Sequence, residues 1–140
     1  MDAELGTVPS VRLAELGIEL PPVAAPVAAY VPALASAGQV FTAGQLPFVD
    51  GQLLAVGKVG SEVDPEQAAE LARIAALNAV AAAASVTGGV DGIRRVVKVT
   101  VFVASDPSFT GQPAVANGAS LLIGDIFGEA RFDQPLRVGD

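Results

Sequence analysis

Apolar and polar positions in the middle of the chain recur with helical spacing. Leu71, Ile74, Ala75, Asn78, Ala81 and Ala82 share one face, while Glu66, Glu70 and Arg73 lie elsewhere. Asp64 is a good N-cap ahead of this stretch, Pro65 suits the first helical position, and Gln67 sits where a capping box places Glu or Gln. Thr87-Gly88-Gly89 ends the helix. The Ala-rich run from 79 to 84 reads as a close-packing face rather than low complexity. Further on, the period changes to two: over residues 96–103, Val97, Val99, Val101 and Val103 alternate with Val96, Lys98, Thr100 and Phe102. Both faces of that strand are mostly apolar, which predicts helices on one side and a partner subunit on the other. Asp106-Pro107 breaks it, and a second helix follows over about 113–127 with Val115, Ala119, Leu122 and Ile126 as its inward row.

The N-terminal part reads as short extended pieces. Ser10 is expected to cap a helix reaching Leu16, with Gly17 as its stop, before Leu20-Pro21-Pro22 and Pro26 force an extended crossing. Residues 1–27 are thus read as an arm and residues 28–140 as the domain. Residues 29–34 and 39–42 read as two strands joined by a turn at Ser36-Ala37-Gly38, with Tyr30 and Phe41 as strand-favouring aromatics. Asp50-Gly51 marks the tip of a further hairpin between Val49 and Leu53-Leu54-Ala55. Strands, helix, strand, helix give an α+β domain, with two helices packed on one face of a mixed sheet.

Composition narrows the chemistry. A chain of 140 residues can bury one sizeable core. Although 51% of its residues are apolar, Gly, Pro, Ser and Asp interrupt every run before the roughly 18 residues a membrane span needs. The acidic start Met1-Asp2-Ala3-Glu4 lacks the features of a signal peptide, and a cytoplasmic protein that avoids membranes is expected. Neither His nor Cys occurs, which excludes Ser-His and Cys-His pairs, a histidine base and an ordinary zinc site. A formal charge of −7 argues against nucleic acid as a partner. Arg94, Arg95 and Lys98 form the one local basic cluster, read as a solvated strand edge in preference to a nucleic-acid patch. Gly88-Gly89 and Gly57-Lys58-Val59-Gly60 lack phosphate-loop spacing and read as turns.

What remains for chemistry is carboxylates, Arg, Lys, Tyr, hydroxyls and backbone amides. Tyr30 stands either as a ligand-facing phenol or as a half-buried strand tyrosine that needs a hydroxyl partner. Gly44 offers a backbone amide at a position permitting close approach, and a plain turn requirement would explain it as well. Thr42 and Gln45 are supporting or structural polar residues. Arg131 is either a bidentate carboxylate ligand or a solvated arginine in a polar tail.

Ala28-Ala29-Tyr30-Val31-Pro32-Ala33, followed by Thr42-Ala43-Gly44-Gln45-Leu46-Pro47, resembles successive segments of the reactive intermediate deaminase (Rid) family, also called YjgF-like and long labelled L-PSP endoribonuclease. The Asp64-Pro65 helix with Asn78 and the Val97-Lys98-Val99-Thr100-Val101-Phe102-Val103 strand resemble its later blocks, so the likeness runs from Ala28 to about Glu129. It implies a chorismate-mutase-like fold, homotrimers, and small-molecule sites in clefts between subunits. It also implies hydrolysis of enamines or imines to 2-keto acids and ammonia without metal or organic cofactor. Tyr30, Thr42, Ala43, Gly44 and Arg131 would bind the substrate, with Arg131 holding its carboxylate. Two departures bear on this. Ala43 stands where the family usually has serine, and after Ala130-Arg131 neither the next strand nor a terminal strand bearing Glu is recognisable. A truncated or altered C-terminal hairpin is therefore expected, with Glu129 as a weaker replacement for the missing carboxylate. The alternatives to hydrolysis are a trimer that binds a small carboxylate without turnover and the ribonuclease of the older label.

Overall fold

A computed structural model describes residues 8–23, 29–128 and, as backbone, 137–139. Helix α1 spans Pro9–Leu16, and the hairpin of β1 (Ala33–Ser36) and β2 (Gln39–Thr42) follows. A second hairpin pairs β3 (Phe48–Val49) with β4 (Gln52–Leu53). The long helix α2 (Pro65–Ala84), a 3₁₀ turn at Val90–Gly92, β5 (Thr100–Phe102), helix α3 (Gln112–Phe127) and β6 (Arg137–Gly139) complete the order. The described strands form three two-stranded pieces, β1 with β2, β3 with β4, and β5 with β6. The β5–β6 pair is parallel, and α3 supplies the crossover that parallel strands require. This last strand is one the sequence reading did not recognise.

Local chemistry explains most boundaries. Asp64 caps α2 by accepting the Gln67 N–H at 2.8 Å, and Pro65 occupies the first turn. Both hairpin tips use left-handed residue pairs, Ala37 and Gly38 at φ 52° and 79°, Asp50 and Gly51 at φ 53° and 79°. Such pairs twist in the sense the flanking strands need. Gly17 closes α1 in the left-handed conformation, as expected.

Three expectations need correction. Ser10 does not cap α1: Pro9 takes the first helical position, so the cap falls on Val8, and Ser10 instead gives its N–H and Oγ–H to the carboxylate of Asp91. The first strand begins at Ala33 rather than 29, with Tyr30 on a bend before it. Pro32 accounts for this, since it has no N–H to continue the ladder, although its carbonyl still accepts the Ala43 N–H at 2.8 Å. The strand predicted over 96–103 is regular only from Thr100 to Phe102. Its alternation also shifts: Val96, Val99, Val101 and Val103 turn toward the helices while Val97 faces out.

Helix α2 is covered on two sides. One row, including Ala76, Val80 and Ala84, joins Leu13, Val90, Ala119, Leu122, Ile123, Ile126 and Phe127 in the larger core cluster. A smaller cluster of Val59, Val63, Ala68, Val103 and Val115 meets it through the partly buried Ala72 and Val101. All four residues predicted for the inward row of α3 are buried. The two helices approach closely at Gly118, where a β-carbon would overlap the Ala69 carbonyl oxygen. The remaining side of α2, which carries Asn78, faces the first two hairpins.

Helix α1 belongs to the same packing. Leu13 enters the larger cluster, and the Arg12 Nε–H donates to the carbonyl of Asp125 at 3.0 Å.

Candidate functional site

The β1–β2 register sets Ala33 opposite Thr42 and Leu34 opposite Phe41. One further bond, from the Ala43 N–H to the Pro32 carbonyl, draws the Tyr30–Pro32 bend beside the Thr42–Gly44 segment. The structure thus brings Tyr30, Thr42, Ala43 and Gly44 to one end of one hairpin. Tyr30 is 40% exposed and lies on a bend outside any strand, so its placement in a strand does not hold. Arg131 and Glu129 fall outside the described residues.

Gly44 has no conformational need to be glycine, because its φ lies outside the left-handed region. Nor is it crowded. The space a β-carbon would enter is open, with no atom within 4 Å. Among the described residues its N–H has no acceptor. Gln45 folds back with its Nε2 at 3.5 Å from the Ala43 carbonyl, a long contact.

A residue to which the sequence reading gave no role at the site holds the far end of this loop. Asn78, the buried polar residue of the described chain at 3% exposure, donates through Nδ2 to the carbonyls of Leu46 and Phe48, both at 3.0 Å. The signal that could have found it was an amide among alanines on a helix with no nearby polar partner. Burial of such a group is costly unless it reaches a bond elsewhere.

The perturbed carboxylates lie away from this hairpin end and serve the loops. Glu62 is held below its usual range by the Ser61 hydroxyl and the Lys58 N–H, and Asp106 by the Ser108 hydroxyl and N–H. The segments carrying them are tied together by the bonds Val59 N–H to Ala104 O and Asp106 N–H to Val59 O, both at 2.9 Å. Asp91 is likewise lowered, chiefly by the Ser10 hydroxyl. Among the described residues no group of three or more Asp or Glu side chains could hold a metal ion, and no helix is long and apolar enough to cross a membrane.

Leu34 and Phe41 stand opposite each other on the face turned from the helix, each 59% exposed, and Phe102 on β5 is 76% exposed. A Gly44 amide without an acceptor among the described residues and an exposed Tyr30, at one end of a hairpin on an α+β scaffold, are the described parts of the candidate site.

The chain belongs to the family described as "YjgF/chorismate mutase-like, putative endoribonuclease", whose model matches residues 10–136. It is 43% identical over 118 residues to Protein TCP17 of Trypanosoma cruzi, an alignment covering 84% of this chain and 74% of that protein. Among solved structures it is similar to a protein of Shewanella oneidensis MR-1 bearing the same provisional endoribonuclease label, with TM-score 0.86 and 31% identity over 95% of this chain and 89% of that one. It is also similar to Atu1372 of Agrobacterium tumefaciens, whose function is described as unknown, with TM-score 0.77 and 38% identity over 94% and 78% of the two chains.

Proposed function

We propose that this protein hydrolyses small reactive enamines or imines derived from amino acids, releasing 2-keto acids and ammonia. In this reading the enamine tautomerises to its imine and water adds to the imine carbon. The resulting carbinolamine expels ammonia as its hydroxyl becomes the keto oxygen. Arg131 holds the substrate carboxylate through its bidentate fork, with Tyr30, Thr42, Ala43 and the Gly44 amide lining the site. The reaction needs neither metal nor organic cofactor, and a cytoplasmic setting fits a chain without cysteine.

The observation that carries the reading is the Gly44 amide, which has no acceptor among the described residues, at the same hairpin end as the exposed Tyr30. The exposed Leu34 and Phe41, opposite each other on one hairpin, and the exposed Phe102 on β5 support a homotrimer with the site between subunits, because large apolar side chains left uncovered in this way mark interaction surfaces. The ribonuclease label of the family finds less support. A net charge of −7 and the absence of histidine deprive the chain of a basic groove and of the usual acid–base pair. Binding of a small carboxylate without turnover is the second reading, favoured by Ala43 in the place where the family usually has serine.

The test combines assembly, binding and turnover. Light scattering should return about three times the chain mass, and 2-aminoacrylate generated in place by a dehydratase should be consumed faster with the protein than without it. Arg131→Ala should weaken 2-oxobutyrate binding by about 1.5–3 kcal/mol, the worth of a charge-assisted hydrogen bond. Keto-acid binding with no enamine turnover would select the non-catalytic reading. A stable monomer together with unchanged affinity in Arg131→Ala would overturn the shared cleft.

A further inference from the structure

We infer that Asn78 is a positioning residue for the keto-acid site, acting through the backbone of residues 43–48; this rests on the small-carboxylate reading above. The inference starts from a mismatch between the residue and its place. Asn78 lies on a face of α2 whose other buried members are alanines, where an amide is worth having only if both its hydrogens are used. They are used on one short stretch, the carbonyls of Leu46 and Phe48. Carbonyls only accept, so the Nδ2 end must be the one turned toward them and the orientation of the amide is settled by chemistry.

The geometry makes those two bonds consequential for Gly44. The loop has one anchor at its start, the Ala43 N–H on the Pro32 carbonyl. Its other anchor is Asn78, reinforced by a tight turn in which the Phe48 N–H reaches the Leu46 carbonyl at 2.8 Å. Gly44 lies between them with open space around it and no steric limit on its own backbone. A glycine amide in that setting points in a defined direction only if both ends of its loop are held, since glycine itself restricts little. An amide meant to meet an anion gains from being fixed in advance, because reorienting it on binding would cost free energy. Asn78 therefore links a rigid helix to the orientation of a ligand-facing N–H that it does not touch.

The test uses the full chain with two substitutions. Asn78→Asp keeps the volume but turns a carboxylate oxygen on the two carbonyls, and Asn78→Ala removes the group. Leu122→Ala, in the core of α3, serves as a control that lowers stability without touching the loop. Two readouts are taken: hydrogen exchange of the Phe48 and Leu54 amides, whose acceptors Leu46 and Pro47 lie in the held stretch, and the Kd of 2-oxobutyrate. Both Asn78 variants should speed exchange at these amides at least tenfold while the interior of α2 stays protected, and should weaken 2-oxobutyrate at least fivefold. Leu122→Ala should leave both readouts near wild type. Unchanged loop exchange in both Asn78 variants, or an equal loss of affinity in Leu122→Ala, overturns the inference. Should the wild type fail to bind 2-oxobutyrate, the functional reading falls, and the exchange comparison alone still decides whether Asn78 holds the loop.

Discussion

Replacing Gly118 by alanine should be among the most damaging small changes available to this protein. On an isolated helix the same substitution would help, by about 1 kcal/mol, because glycine is a poor helix former. Here the added methyl would overlap the Ala69 carbonyl oxygen and come within 2.7 Å of its carbon and 3.1 Å of the Ala69 α-carbon. Those are backbone atoms of α2 and cannot swing aside. Restoring ordinary carbon contacts of about 3.5 Å requires α3 to back away by on the order of 1 Å, enough to forfeit a quarter to a half of each dispersion contact along the seam. Val115, Ala119 and Leu122 would all lose part of their packing. Overpacking typically costs about 1–3 kcal/mol, and a clash with backbone belongs at or above the upper end. After the propensity gain, the net loss should be about 2 kcal/mol. For a chain of this size that is a fall of about 6–8 °C in Tm. Urea and thermal unfolding at matched protein concentration would measure it, since assembly makes Tm depend on concentration. A Gly118→Ala protein as stable as wild type, or more so, would refute the close helix contact.

Two smaller predictions follow from single side-chain anchors. Asp64→Ala should cost about 1 kcal/mol in urea unfolding by removing the cap on the Gln67 N–H, and Asp64→Asn should restore most of it, as asparagine caps nearly as well. Asp91, whose folded-state pKa is lowered first by the Ser10 hydroxyl and then by the Ser10 N–H, favours the folded state fully above its unfolded pKa and loses that contribution as pH falls through the folded value. The docking of α1 should therefore be insensitive to pH near neutrality and weaken below about pH 4. A carbon-13 titration of the Asp91 carboxyl should show its midpoint rising in Ser10→Ala; an unmoved midpoint would dismiss the bond.

Signals that act within a few residues could be read from the chain. The Asp64-Pro65 start of α2, the Asp50-Gly51 tip and the Gly17 stop each depend on neighbours in sequence, and each stands where expected. Ser10 shows the limit of such reasoning: it satisfies the local rule for a cap, yet its carboxylate partner at Asp91 is distant in sequence and only the tertiary fold supplies it. Gly118 is legible only as a weak point in a helix until the carbonyl of Ala69 is seen against it. At the candidate site, Tyr30 and Thr42 to Gly44 could be grouped in advance because a hairpin joins them. The strand boundary was misplaced because Pro32 ends the ladder on its N–H side while continuing it through its carbonyl. Asn78 could be placed on a face, but its two carbonyl partners lie across the fold and left no trace in local spacing.

The attachment of α1 also has a consequence in time. Its anchors lie far downstream: Ser10 waits for Asp91, and Arg12 for the carbonyl of Asp125, 113 residues later. A helix of eight residues is too short to persist unaided in water. On a ribosome adding about 5–20 residues per second, roughly 6–23 s separate the synthesis of Arg12 from that of its partner. Until α3 is made, Leu13, buried in the finished domain with Pro9, lacks the side chains of that helix that complete its cluster. The first of the described helices is thus among the last to be seated, and its docking reports that the segment through Asp125 has been delivered.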